Sequence, residues 1–581
     1  MNVLAHISGN SWDDWLIVAG PVVIFLAICA VMTRPRGGRS PLEAAADRMG
    51  RITKMPGWAA AGVLTGVGGL TLAALGFYWD VAWHIDLGRD KELFTPPHTL
   101  ILLGLGAILL AGAIAIALAS ASRIETRLRV RFLRIPWSAL TLVLIGGGAV
   151  MGFPLDDMWH RAYGIDVTMW GPTHLIMIGG ASITAIALWM MLGEAGVSAE
   201  KRTFGRLLHG VVAGACLTGL SALQGEFDFG VPQFQLLYQP VMIMLAAGAG
   251  LTVARIVLGR GGALRAAAGF LAIRGVIAVF VAGFGHTMPH FPLYLAPALA
   301  VEFVAWRAGT ERLGRFALAS GAGVLAIGLP AEWGWTHAWF THPWPATMLP
   351  ETIAVGALAA FGGAALGTAL GVVVSGRPTH APAIDRRTAL ALAGATVAVA
   401  IALALPIERH PSPVRAELTL QKVGPSAFVT VRLDPPNAAN DARWFEAFTW
   451  QSGGLIIDKM KKIELGVYRT TRPMPIAGKA KTLIRFHRGG EMGAVPIRFP
   501  ADPEIGASAI PAEDRSATFE RDSKLLMRES HAGSPTVARI IFSVLAAIVV
   551  VWIAVLALVG SRIAARREPP GELQAPRDVA A

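Results

Sequence analysis

Long apolar segments alternate with short polar ones along most of the chain. An apolar run of about 18 or more residues is long enough to cross a bilayer as a helix. The segment 407–535 departs from this pattern, because it is polar and its apolar residues alternate in short runs broken by Pro, Gly and Asn. This alternation predicts a small β-sandwich. The apolar runs predict thirteen membrane-spanning helices, at 14–33, 57–78, 98–120, 137–155, 173–193, 207–225, 235–258, 267–285, 291–306, 314–331, 352–374, 388–406 and 536–560.

The predicted fold class is therefore an all-α polytopic membrane protein built from helical hairpins, with an extracytoplasmic β-sandwich near the C-terminus. The pattern divides the chain into five parts. They are a first transmembrane helix with a basic cytoplasmic loop (1–56), a transmembrane core of repeated hairpins (57–406), the β-sandwich (407–535), a C-terminal transmembrane helix (536–560) and a cytoplasmic tail (561–581).

Arginine and lysine collect in alternate connections between the predicted helices, for example in 34–56 and 121–136. Cytoplasmic loops carry an excess of these residues. The sequence therefore predicts a multi-pass protein of the cell membrane, with its N-terminus outside and its C-terminus in the cytoplasm. The β-sandwich then lies on the outer side.

Composition supports a membrane protein, since 54% of the 581 residues are hydrophobic and only 15% are charged. The net charge of +12 does not indicate nucleic-acid binding, because the basic residues lie between the spans and not on one soluble face. Both cysteines, Cys29 and Cys216, fall inside predicted spans and offer no disulfide framework. The expected partners are membrane lipid and other subunits that contact the extracytoplasmic domain.

A polar stretch at 79–98, WDVAWHIDLGRDKELFTPPH, lies between two apolar runs and recurs 76 residues later without a gap. Identities in register at a fixed spacing indicate an internal repeat. The matching pairs are Asp80 and Asp156, Trp83 and Trp159, His84 and His160, Gly88 and Gly164, Asp90 and Asp166, Pro96 and Pro172, and His98 and His174.

The repeated residues suit a metal site. Aspartate and histidine four residues apart share one face of a helix, and the second histidine follows a proline that favours a helix start. A hairpin can thus bring one carboxylate and two imidazoles together, a ligand set that suits copper, iron or zinc. The alternative is a set of interfacial polar residues at helix ends, but two copies of costly intramembrane ionisable residues favour function. The predicted ligands are Asp80, His84 and His98 in one group, and Asp156, His160 and His174 in the other.

Later turns carry weaker versions of the pattern. Glu226 and Asp228 in the third turn are interpreted as a decayed copy with a structural role. Asp90 and Asp166 are candidates either to orient a ligand histidine or to cap the turn. A further metal or polar site is a candidate at His286, His290, Glu332, His337 and Glu351.

The first motif, D-x-x-W-H…R-D-x-x-x-F-T-P-x-H, resembles the copper-binding segment of the C subunit of particulate methane and ammonia monooxygenases. The resemblance covers about residues 57–195, with Asp156, His160 and His174 similar to a second, adjacent site that begins with Asn in that family. It implies copper near the outer face and O2-dependent hydroxylation of a small apolar substrate. The chain departs from the family in its greater length, its three further hairpins and its own outer β domain.

Three functions follow as hypotheses. The first is a copper-dependent membrane monooxygenase that activates O2. The second is copper uptake, delivery or storage, since transporters are also built from repeated hairpins with ionisable residues. The third is a non-catalytic accessory subunit of a membrane complex. Ligand chemistry alone leaves iron and zinc open, and only the family resemblance favours copper.

Overall fold

The computed structural model describes residues 38–89, 94–126, 128–165, 168–197, 203–375 and 386–564. The described chain is mostly helical, and a separate β-sheet region lies near the C-terminus. The predicted span 14–33, Asp90, Asp166 and most of the predicted tail lie outside these residues. The helices are α1 (Pro41–Thr53), α2 (Gly57–Asp86), α3 (Pro96–Ala121), α4 (Trp137–Tyr163), α5 (Pro172–Glu194), α6 (Thr203–Ser221), α7 (Gly225–Phe229), α8 (Tyr238–Leu258), α9 (Gly262–Gly283), α10 (Leu295–Ala308), α11 (Leu313–Gly323), α12 (Leu329–Trp339), α13 (Leu349–Ser375), α14 (Arg386–Ala404), α15 (Asp522–Leu526) and α16 (Pro535–Ala564).

Ten helical segments among the described residues are long and apolar enough to cross a membrane. They are Gly57–Asp86, Pro96–Ala121, Trp137–Tyr163, Pro172–Glu194, Phe204–Phe229, Tyr238–Leu258, Gly262–Gly283, Leu313–Trp339, Ala346–Ser375 and Pro535–Val559.

Two predicted spans differ from this set. The span predicted at 291–306 is a helix of 14 residues that begins at Leu295, because Pro289 and Pro292 keep the preceding chain irregular. The span predicted at 388–406 contains a short apolar helix, Leu390–Ala404. Leu295–Ala308 is shorter than a full crossing requires, whereas the complete helix α14 has 19 residues.

The first long helices pack closely because small residues face each other. A Cβ atom added at Gly104 of α3 would overlap the backbone of Ala73 in α2. Contacts of this kind let helix backbones approach without a hydrophobic driving force from water. Helix α16 returns from the β region and packs on α4 and α5, where Trp552 donates its indole N–H to the Leu144 carbonyl (3.2 Å).

The β region forms two antiparallel sheets that share buried side chains, among them Leu418 and Val431 from one sheet and Ile484 and Phe486 from the other. The strands are β1 (Leu128–Val130), β2 (Leu133–Ile135), β3 (Arg415–Val423), β4 (Ser426–Asp434), β5 (Trp444–Trp450), β6 (Ile456–Lys459), β7 (Lys461–Glu464), β8 (Val467–Arg469), β9 (Met474–Pro475), β10 (Lys481–Arg488), β11 (Glu491–Arg498), β12 (Arg515–Thr518) and β13 (Glu520–Arg521). The first sheet has the order β13-β11-β10-β5-β6; the second has the order β12-β3-β4-β8-β7, with β9 beside β4. A separate two-stranded hairpin, β1 with β2, joins α3 to α4.

The β region is joined to the helical core by backbone and side-chain hydrogen bonds. The backbone N–H of Gln451 donates to the Ile85 carbonyl (2.9 Å) at the end of α2. Just beyond that helix, Arg89 makes two bonds to the Asp502 carboxylate, 2.8 and 2.9 Å long. These contacts hold the β region directly over the turn that follows Asp80 and His84.

Candidate metal centre

The first predicted ligand group is assembled by α2 and α3. Helix α2 continues to Asp86, so Asp80 and His84 lie one turn apart on it, and His98 lies in the first turn of α3 behind Pro96. Asp80 Oδ2 is 3.6 Å from His84 Nε2, and Asp80 Oδ1 is 3.1 Å from His98 Nε2. The three side chains are half-buried, at 17–20% exposed.

The second group is built the same way by α4 and α5. Asp156 and His160 lie one turn apart near the end of α4, and His174 lies in the first turn of α5. Asp156 Oδ1 is 3.7 Å from His160 Nε2 and 3.3 Å from His174 Nε2. The Thr173 hydroxyl donates to the same carboxylate oxygen (2.6 Å), which fixes the orientation of Asp156.

Each group has the spacing that one metal ion requires. In both, one nitrogen or oxygen from each of the three residues lies within 4.8 Å of the others. Ligands at about 2.0–2.2 Å from a tetrahedral ion stand about 3.3–3.6 Å apart. The observed nitrogen–oxygen separations of 3.1–3.7 Å bracket that value.

Backbone carbonyls orient two of the histidines. His174 Nδ1 lies 2.7 Å from the Thr168 carbonyl, and His84 Nδ1 lies 3.3 Å from the Gly88 carbonyl. A carbonyl only accepts, so each Nδ1 carries a proton and each Nε2 faces the aspartate of its group. Metal-binding histidines commonly have this arrangement, in which a carbonyl holds the nitrogen that does not bind the metal.

Both groups lie on the wall of one cavity of about 620 Å³. Most of its remaining wall is apolar, formed by side chains such as Leu70, Phe153 and Ile273. Trp450 and Gln451 of the β region also line it. The two metal-type groups therefore face a shared apolar space that is partly covered by the C-terminal domain.

Glu226 supports the second group through Thr168. The Thr168 hydroxyl donates to Glu226 Oε1 (3.0 Å), and the Thr168 carbonyl holds His174. The other oxygen of Glu226 accepts from the Gln233 backbone N–H (3.2 Å). Glu226 is only 3% exposed and lines the cavity, so this carboxylate fixes the peptide that orients a predicted ligand.

The repeated glycines meet the C-terminal part of the chain in both copies. Gly88 has φ +101° and packs on the Gln451 side chain. Gly164 has φ +78°, and a Cβ there would overlap the Glu529 carbonyl. At both positions the chain leaves the helix that carries the Asp and His pair, in a backbone conformation that glycine adopts most readily.

The residues predicted for a further site take separate partners. His286 Nδ1 lies 3.0 Å from Asp86 Oδ2, and His290 donates its backbone N–H to the Asp228 carbonyl (2.8 Å). Burial lowers the pKa of the His290 side chain, although its hydrogen bond to the Asp228 backbone opposes the shift.

The last hairpin is also dispersed. Both Glu332 oxygens accept backbone N–H groups, those of Leu293 and Tyr294, at the start of α10. His337 is exposed beside the Trp333 carbonyl, and Glu351 pairs with Arg443. Within the described ranges, these five candidates form no group of three ligands.

Several supporting residues were missed by the sequence reasoning. Thr168 and Thr173 carry no signal in a single sequence, because threonine is common in helices and loops of membrane proteins. The contribution of the β region to the cavity was also missed, since pattern reasoning does not bring distant segments together. One signal of this supporting network is present in the sequence, which is Glu226, a carboxylate next to an apolar run.

The described chain is therefore a mostly helical protein with ten apolar helices long enough to cross a membrane and two Asp–His–His groups. Comparison with protein-family models, with curated proteins and with solved structures finds no match to this chain.

Proposed function

We propose that this chain is an integral protein of the cell membrane that binds one copper ion at each Asp–His–His group and oxidises a small apolar molecule with O2. The observation that carries the proposal is the position of both groups on one mostly apolar cavity. A protein that only stores metal does not need an apolar space of this size beside its ligands. The resemblance to the copper monooxygenases adds the choice of copper and O2.

The ligand chemistry is compatible with this choice. Neutral imidazole suits copper, and copper binds such sites more tightly than other divalent first-row metals. Copper, when bound, supplies one-electron chemistry and O2 activation. Asp80 and Asp156 would balance its charge, while the carbonyls of Gly88 and Thr168 hold His84 and His174 in the required tautomer.

The remaining wall would bind the substrate and exclude water. Apolar side chains give a small hydrocarbon-like molecule its binding energy without a directional partner. Trp450 and Gln451 close the cavity on the side of the β region, and exclusion of water limits side reactions of reactive intermediates.

The proposal also covers the orientation of the chain in the membrane. An outer N-terminus and a cytoplasmic C-terminus would put the β-sandwich outside the cell, where it is available to other subunits. The basic connections at 34–56 and 121–136 then face the cytoplasm. Both metal groups lie at the opposite ends of their helices, on the outer side.

The test is the metal content of the full chain, purified in mild detergent without chelators and compared with the His84→Ala/His160→Ala variant. We expect about two copper ions per chain in the parent and their loss in the variant. The matched control is His410→Ala/His531→Ala, which removes two exposed imidazoles and should keep the copper. Equal copper in the parent and the His84/His160 variant would refute the assignment of the sites.

Further outcomes separate the candidate functions. Iron or zinc in place of copper would refute the copper assignment while retaining the sites. Bound copper without O2 consumption, given a reductant and a series of small hydrocarbons, would favour delivery or storage. A folded parent that holds no metal after copper loading would favour the accessory subunit.

A further inference from the structure

A short β-hairpin at the end of the molecule opposite the metal groups joins α3 to α4. Its strands pair over three residues, with Leu128 opposite Ile135, and it turns at Arg131 and Phe132. The hairpin is anchored to α3, because Arg134 donates its backbone N–H to the Ser120 hydroxyl (2.8 Å). The hydroxyl in turn donates to the Ile116 carbonyl (2.7 Å), so the hairpin has a fixed place at the end of the helix.

Four arginines line one pocket of about 450 Å³ at this hairpin: Arg123, Arg129, Arg131 and Arg134. No carboxylate is among the described residues that line it. Arg129 and Arg134 are direct cross-strand partners. Like charges placed opposite each other destabilise a strand pair, and so short a hairpin gains little stability by itself. A bound anion would relieve this repulsion.

The hairpin also joins the ends of two helices, α3 and α4, that are long and apolar enough to cross a membrane. Phe132 is 79% exposed and Val130 is 50% exposed, although both are hydrophobic. An exposed aromatic ring beside cationic side chains suits the boundary between lipid headgroups and acyl chains.

We propose that this pocket binds the phosphate of an anionic phospholipid headgroup, with Arg129 and Arg134 as the central pair and Phe132 inserted beside the lipid. Guanidinium groups recognise phosphate oxygens with two parallel hydrogen bonds, which lysine does not reproduce. Alternate basic loops place the hairpin in the cytoplasm, where the leaflet is rich in anionic lipid. The inference is independent of the metal sites.

The test is a calorimetric titration of the full chain in neutral detergent with short-chain phosphatidylglycerol, and separately with phosphatidylcholine of the same chain length. We expect the anionic lipid to bind saturably. The Arg129→Gln/Arg134→Gln variant should bind it about tenfold or more weakly, because each basic residue near an anionic surface raises the binding constant about fivefold. The matched control is Arg48→Gln/Arg51→Gln, which removes two exposed charges from α1 and should bind as the parent does. If the double variant does not fold, Arg123→Gln is tested instead and should weaken binding about fivefold.

Two results would overturn the inference. Equal weakening in the hairpin variant and the α1 control would show a diffuse attraction to positive charge and not a site. Inorganic phosphate or glycerol phosphate that binds as tightly as the lipid would assign the pocket to a soluble phosphate compound.

Discussion

His487 of β10 joins the β region to the helical core, and its burial makes that joint sensitive to acid. Its Nε2 accepts the backbone N–H of Leu236 (3.1 Å), and its Nδ1 lies 3.2 Å from the Glu491 carbonyl. Both bonds require a neutral ring with the proton on Nδ1. Burial is the main cause that lowers the pKa of His487, and the nearby charges of Arg443 and Arg485 and the His342 ring lower it further, to about 3.

The size and sign of the effect follow from this shift. The usual pKa is 6.5, so between pH 6.5 and pH 3 the unfolded chain takes up a proton at His487 and the folded chain does not. Stability from this group is therefore present above pH 6.5 and is lost as the pH falls toward 3. From pH 7 to pH 5 the loss is roughly 2 kcal/mol, which corresponds to a factor of about 30 in an equilibrium constant.

Hydrogen exchange measured by mass spectrometry checks this prediction on peptides that cover β10. After correction for the intrinsic pH dependence of exchange, we expect protection of these amides to fall about thirtyfold between pH 7 and pH 5. His487→Gln keeps an acceptor for Leu236 but does not titrate, so its protection should change much less over that range. His410→Gln, at an exposed position, is the control and should follow the parent. Parallel pH profiles for the parent and His487→Gln would refute the reasoning.

Two further predictions concern residues around the candidate sites. Glu226→Gln should weaken metal binding at the second group by about 10–100-fold, because it loosens the Thr168 peptide that orients His174. A chelator-competition titration measures this, with Glu332→Gln, another buried carboxylate, as the control that should retain the parent affinity. Gly164→Ala should lower the thermal unfolding midpoint. The substitution costs about 1–3 kcal/mol of backbone strain, and the added Cβ overlaps the Glu529 carbonyl. An unchanged midpoint would contradict this prediction.

The lengths of the apolar runs predicted most of the long helices. They placed the helix ends too early where polar residues continue a helix. The spans predicted to end at 78 and 155 continue to Asp86 and Tyr163. Their last turns carry Asp and His residues, which lower the local hydropathy but line the cavity. The span predicted at 291–306 errs in the opposite direction, since the helix there is shorter than predicted. Hydropathy does not register the helix-breaking effect of the prolines that precede Leu295.

The ligand sets were predictable because their geometry is local. Spacing of four along a helix and a proline before the second histidine determine most of each Asp–His–His group, and the structure brings together the three residues of each group as expected. The shared cavity was not predictable, since it depends on packing between α2, α5, α6 and α9 and on residues of the β region more than 250 positions after His174. Such long-range closure leaves no periodic mark in a single sequence.

In the described part of the chain, the later turns use their polar residues for other contacts and add no third group with a metal-type geometry. The third turn uses Glu226 to support the second group, and the fourth uses His286 to hold Asp86 at the end of α2. The fifth uses Glu332 to accept the backbone N–H groups of Leu293 and Tyr294, just before α10 begins. Ionisable residues are costly in a membrane-type core unless they are paired. The polar side chains of these turns are therefore used in hydrogen bonds around the helices that form the cavity. The two complete Asp–His–His groups face the cavity itself.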